Sequence, residues 1–197
     1  MWGAVPPPRT GSGLRIAAVL LLVLAAALTL GGSFAPTSFY TYDYVGPSGS
    51  PSPTTYIANS WRVQADPPDD ELRLDQPLDG YLLVVCVLVL LVAVVVLLTG
   101  GRRPDGRALG RSVGVGAAAL LVGVVVQSWV ALIDWLRSVA RDIAERQPDS
   151  GIRTDLILGP GAYLQLTAAV LALAAAVLLV ISARSDLLRA ARSPVRP

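Results

Sequence analysis

The 197-residue chain has no histidine, no lysine and one cysteine. Without histidine it has no imidazole to serve as a general base near neutral pH or to ligate haem. A single thiol, Cys86, closes no intramolecular disulfide and builds no thiolate metal cluster. Cys86 stands inside an apolar run, where a thiol behaves as a small hydrophobe. Phosphate-binding glycine loops are missing as well, since the glycine-rich stretch GGRRPDG at 100–106 lacks the strand-to-helix context such loops need. The acidic stretch DPPDDELRLDQPLD at 66–79 lacks the ligand spacing of a calcium loop and reads as a solvated, proline-stiffened connector. No pair of carboxylates stands out for acid–base work. The expectation is therefore a non-enzymatic protein with no cofactor, no metal site and no nucleic-acid partner.

Apolar residues make up 53% of the chain, and its mean hydropathy is +0.58. That composition belongs to membrane proteins. All 16 basic residues are arginine. The abundance of Ala, Gly, Pro and Arg fits a high-GC bacterial genome of the actinobacterial kind. The expected site is thus a bacterial plasma membrane.

A bilayer core of about 30 Å takes roughly 20 apolar residues as a helix. Four runs meet or approach this length: Ile16–Leu30, Tyr81–Leu98, Val113–Ile133 and Ala162–Ile181. Backbone polar groups cannot go unpaired in lipid, so each run is expected to be helical. The fold class read from the sequence is an α-helical four-transmembrane-helix bundle with a small extracytoplasmic β-hairpin cap. The chain divides into a tail (1–14), helix 1 (15–33), an outer loop (34–80), helix 2 (81–99) and a basic loop (100–111). Helix 3 (112–147) extends beyond the membrane, and a short loop (148–160), helix 4 (161–183) and a basic tail (184–197) follow.

Arginine sets the orientation. Arg102, Arg103, Arg107 and Arg111 crowd the 100–111 connection, and Arg184, Arg189, Arg192 and Arg196 the C-terminal tail. The 34–80 loop is acidic, with Arg62 and Arg73 its only cations. The positive-inside rule places both termini in the cytoplasm and the 34–80 and about 134–161 segments outside. The basic loop is expected to touch anionic lipid rather than nucleic acid. The first run, preceded by Arg9 and Arg15 and followed by GGSFA, also fits a signal peptide cut near Gly31 or Ser33. Its length and the crowding by Phe34 and Pro36 favour an uncleaved helix.

The outer loop carries the most information. In TSFYTYDYVGPSGSPSPTTYIANSWRV (37–63), Tyr40, Tyr42 and Tyr44 alternate with the period of a strand. A Gly/Pro tract follows, and then a second strand-favouring run with Tyr56 and Trp61. This predicts a hairpin with a long loop, with an edge strand over 71–74. Two strands alone are marginal in water, so the hairpin must pack on the helices or on a partner. Tyr40, Tyr42, Tyr44, Tyr56 and Trp61 are candidate partner-binding residues, because exposed Tyr and Trp are common interface residues.

Leu132, Leu136, Val139 and Ile143 continue the helical period past the third span, so this helix should project from the membrane and pack on the cap. Gln127, Ser128 and Asp134 form the candidate intramembrane polar site. Small residues recur on the third helix (Gly110, Gly114, Ala118) and on the fourth (Ala168, Ala172, Ala176), so these two helices are expected to pack closely. The Val/Leu-rich second helix is then expected to face lipid or a partner.

Inner termini, a long first outer loop of strand character with a Trp, and a short second loop following a long third helix make the layout similar to that of claudin-like four-helix proteins. Claudins carry a Trp and a following pair of cysteines in that loop, whereas Trp61 here has no such pair. The function read from the sequence is an accessory, assembly or interaction subunit that binds another membrane protein or itself within the lipid bilayer. A small oligomeric transporter or lipid-handling protein is the alternative.

Overall fold

The computed structural model describes residues 10–45, 51–66, 79–100, 104–146 and 154–192. Its helices are α1 (Thr10–Phe34), α2 (Gly80–Thr99), α3 (Pro104–Arg146) and α4 (Pro160–Arg192). Its strands are β1 (Ser38–Val45), β2 (Pro51–Ala58), β3 (Val63–Asp66) and β4 (Thr154–Leu158). Each helix holds a stretch long and apolar enough to cross a membrane: Gly13–Phe34, Gly80–Thr99, Asp105–Trp135 and Pro160–Asp186. The protein thus has the make-up of a multi-pass membrane protein with a small antiparallel sheet.

The helices form a ring in chain order, with α1 against α2 and α4, and α3 against α2 and α4. The interior is apolar and built largely from small side chains. Ala18, Leu22, Ala25 and Ala26 of α1 and Ala168, Ala172 and Ala175 of α4 belong to one buried cluster. Helix α3 packs against α4, as the small-residue series suggests, and the contact of α1 with α4 is more extensive still. The alanines of α4 mark a close-packing face correctly, but helical period alone does not say which neighbour fills it.

The second helix keeps an exposed face, as expected, and also contributes to the core. Leu83, Cys86, Val87, Leu90, Ala93, Val94 and Leu97 form a buried stripe along α2. The opposite face, including Leu82, Val85 and Leu88, is exposed. Uniform hydrophobicity conceals that stripe from a reading of the sequence. Helix α3 begins at Pro104, so much of the expected basic loop is helical. Proline suits the first turn because its missing N–H needs no partner there. With 43 residues, α3 is about 65 Å long at about 1.5 Å per residue.

The sheet has the order β3-β2-β1-β4 and is antiparallel throughout. The expected hairpin is its centre, pairing Tyr40 with Tyr56 and Thr41 with Thr55. Two further strands flank it. Val63 does not continue the second strand but opens β3, after a turn at 59–62. Strand β4 comes from the connection between α3 and α4 and pairs Tyr40 with Leu156 and Phe39 with Ile157. The strand expected over 71–74 lies outside the described residues. Alternation sorts the two faces. Ser38, Tyr40, Tyr56 and Ala58 are buried, whereas Gln64, Asp66, Asp155 and Ile157 are exposed. On the outer side the Thr41 and Thr55 hydroxyls bond each other across the strands at 3.0 Å.

Helices α1 and α4 approach closely at the end nearest the sheet. A Cβ on Gly32 would meet Gly161 O and Leu164 Cβ at 3.1 Å, whereas one on Gly31 would meet nothing within 4 Å. Gly32→Leu should therefore cost about 1–3 kcal/mol by overpacking. Gly31→Leu should stay within about 0.5 kcal/mol of the parent. Thermal unfolding of the detergent-solubilised chain measures both, and equal shifts would contradict the α1–α4 seam.

Candidate functional site

A four-residue corner, Asn59 to Arg62, joins the sheet to the bundle. The Asn59 side-chain oxygen accepts from the backbone N–H groups of Trp61 and Arg62, each at 2.9 Å. This is the local bonding that favours Asn in turns. The corner reaches three helices. Ser60 N–H donates to Ser33 O of α1 at 3.3 Å, and Ser60 O accepts from Gly80 N–H of α2 at 2.9 Å. The Gln165 amide of α4 donates to Ser60 Oγ at 3.0 Å. Gln165 is 4% exposed. The sequence signal for it is slight, the one amide side chain in AYLQLTAAV.

Trp61 fits into the same joint. Its indole N–H donates to Ser33 Oγ at 3.2 Å. Its ring stacks on Phe34 at a centroid distance of 5.6 Å and meets the edge of Tyr81 at 5.5 Å. Gly80 admits the indole, because a Cβ there would lie 2.6 Å from Trp61 Cδ2. Phe34 and Tyr81 are 62% and 77% exposed. The trio therefore occupies the end of two candidate spans, where amphipathic aromatics favour the membrane–water boundary.

The other tyrosines lie elsewhere. Tyr40 and Tyr56 are paired neighbours at 7% and 3% exposure. Such burial gives them packing work within this chain. Tyr40 meets Trp135 of α3 edge-on at 6.3 Å, so α3 supports the sheet. The backbones of Tyr42 and Tyr44 lie in β1, and their side chains are outside the described set. So are those of Leu136, Val139 and Ile143, whereas Leu132 lines the joint described next.

The polar residues Gln127, Ser128 and Asp134 of α3 divide. Asp134 is exposed and forms a loose pair with Arg137 at 3.6 Å, of the solvated kind that contributes little. Ser128 lines a cavity of about 40 Å³ with Thr37, Asn59, Ser60, Asp79 and Gln165, closed on its apolar side by Trp129, Leu132 and Ala162. Asp79 and Ser128 also line a second, open groove of about 300 Å³, where Leu82 of α2 faces Ala119, Leu120, Gly123, Val124 and Gln127 of α3. Gln127 and Ser128 are thus adjacent in the chain and share the groove, and Asp134 is apart from it. The groove is apolar along its walls and polar at one end. Among the described residues no group of three or more His, Cys, Asp or Glu is placed to hold a metal ion. No protein-family model matches the chain, and no curated protein matches it.

The corner makes a direct prediction. Gln165→Leu leaves Ser60 Oγ without its buried donor and should cost about 1–3 kcal/mol. Trp61→Phe, which keeps a ring but loses the bond to Ser33, should cost less than Trp61→Ala. In each case amide exchange at Gly80 should accelerate, because its acceptor is Ser60 O. Unchanged exchange at Gly80 would detach the corner from α2.

Proposed function

We propose that this is a non-enzymatic integral membrane protein of the bacterial plasma membrane. It serves as an accessory or assembly subunit that docks another membrane protein in the groove between α2 and α3. The observation that carries this reading is Gln127 beside Gly123 and Ala119 on a face of α3 that opens to the surroundings within a candidate span. Lipid tails offer an amide no hydrogen bond. Small neighbours let another helix approach closely enough to supply one. Space exists for it, since a Cβ on Gly123 would meet nothing within 4 Å. The partner is therefore an apolar transmembrane helix with a polar side chain facing Gln127.

Both termini are proposed to be cytoplasmic and the sheet extracytoplasmic. The arginine distribution supports this, with Arg107, Arg111 and Arg184 at the end of the bundle away from the sheet. The second reading, a lipid-handling protein or small oligomeric transporter, draws on the shared lining of groove and cavity. An apolar trough that ends at Asp79 and Ser128 suits one acyl chain with its polar head at the joint.

Purification of the tagged chain in mild detergent should bring down one membrane protein in near-stoichiometric amount. Gly123→Leu, which fills the groove, and Gln127→Leu should each release it while the unfolding temperature stays near that of the parent. Retention of the partner by both variants would remove the groove as its docking face. Recovery of a lipid in place of a protein would turn the reading to lipid handling. A membrane-impermeant maleimide should label Gln64→Cys in intact cells and Asp105→Cys only after permeabilisation. The reverse pattern would invert the topology.

A further inference from the structure

Helix α3 has two faces within its candidate span. Ala117, Ala118, Leu121 and Val125 lie in the buried cluster of the bundle. On the other side Ser112, Gly116, Ala119, Gly123, Gln127 and Val130 are all exposed. They recur three or four residues apart and so share one helical face. Ala119, Gly123 and Gln127 of this face also line the α2–α3 groove. No charged residue occurs from Ser112 to Ile133.

This face is built for close approach. A Cβ on Gly116 or on Gly123 would meet nothing within 4 Å. The exposed faces of the neighbouring helices are bulkier, with Leu88 and Leu91 on α2 and Val170 and Leu173 on α4. A helix docking on α3 can therefore bring its backbone nearer than one docking on α2 or α4. The face also carries an unmet polar demand. Thr167, an exposed hydroxyl of α4, donates to Tyr163 O of its own helix at 2.8 Å. The Gln127 amide has no hydrogen bond to any other side chain among the described residues. An amide holds both donors and an acceptor, so two copies of it satisfy each other.

Membrane insertion favours that match. Copies of one chain that insert alike present α3 in parallel and at equal depth. A twofold axis along the bilayer normal then sets each residue of the face against its own counterpart. Gly116 meets Gly116, and Gln127 meets Gln127 at the same level in the lipid. An unrelated partner would have to place a polar side chain at that depth, whereas a second copy does so by symmetry. The absence of charge means that self-association brings no like charges together within the span.

We propose that the occupant of the α2–α3 groove is α3 of a second copy of this chain. The two copies form a parallel, twofold dimer held by the small-residue face of α3 and by a mutual hydrogen bond between the Gln127 amides. This rests on the groove as a docking face for a membrane protein and names that protein.

Oxidative cross-linking of the full chain in membranes tests the dimer. With Cys86→Ala as background, Gly116→Cys and Gly123→Cys should each give a disulfide-linked dimer. Leu91→Cys on α2 and Val170→Cys on α4, both exposed, should stay monomeric. Native mass spectrometry of the parent chain in mild detergent should show the dimer without any substitution. Gln127→Leu should weaken self-association about tenfold while the unfolding temperature stays near that of the parent. Cross-linking from Leu91→Cys or Val170→Cys as strong as from Gly123→Cys would overturn the proposal, since the copies would then meet on no preferred face. A monomer that holds a different membrane protein, released by Gly123→Leu, would overturn the second copy as occupant and leave the groove as the docking face. A monomer with no partner, or a dimer indifferent to Gly123→Leu, would overturn both.

Discussion

The corner at Ser60 and Trp61 decides how a sheet can stand on four helices. Helix ends expose backbone groups that have no partner inside the helix. At the edge of a bilayer, water reaches some of these groups and lipid covers others. Here the loop supplies partners from its own backbone. Ser60 O receives the first N–H of α2, and Ser33 O at the end of α1 receives Ser60 N–H. Pro36 O likewise receives Gly161 N–H at the start of α4, at 2.8 Å. Directional bonds thus connect the ends of α1, α2 and α4 through residues 33–37 and 60. The indole of Trp61 closes the same corner against Gly80, where any side chain would collide with it.

These end bonds matter because the middle of the bundle has few ways to fix its own register. Lipid tails are as apolar as leucine, so burying Leu22 or Ala172 between helices provides little hydrophobic drive. Close packing supplies the attraction, and small residues permit it, but an alanine stripe slides over another at modest cost. Polar contacts at the two ends oppose such sliding. Gln165 joins α4 to the corner at one end, and Arg111 joins α3 to Ser182 and Asp186 of α4 at the other. Between them, hydroxyls bond within their own helix. Thr29 Oγ1 donates to Ala25 O at 2.8 Å and burdens no neighbour.

Much of this arrangement was legible in the sequence, and the rest was hidden for physical reasons. The four apolar runs stood out because length and hydropathy are local properties. The alternation of Tyr40, Tyr42 and Tyr44 marked β1, and the Gly/Pro tract marked the break before β2. Strand β4 was not legible. TDLIL is short, alternates weakly and gains its order from β1, more than a hundred residues earlier in the chain. The burial of Tyr40 and Tyr56 was hidden for a related reason, since alternation separates two faces without saying which one meets the bundle. The α2–α3 groove was half visible. Gln127 and Ser128 were conspicuous as polar residues in an apolar run, but Asp79 and Leu82 join them only through the packing of α2 on α3. Arg111 read as an orientation signal, and only the packing of α3 on α4 brings it to Ser182 and Asp186.

Helix α3 links these features. Arg107 and Arg111 lie in its first turns, Gly123 and Gln127 in its middle, and Trp135 against the sheet. A rigid helix of this length transmits a tilt at one level to the others, because its neighbours differ along its course. It meets α2 and α4 within the bundle and the sheet beyond it. A helix docking at Gly123 would press on the same face of α3 that borders Asp79 and Ser128, whose cavity includes Ser60 and Gln165. Occupancy of the groove would then be felt first at the corner that holds the sheet. The sheet is accordingly the part of the molecule that a change at the groove would reach first.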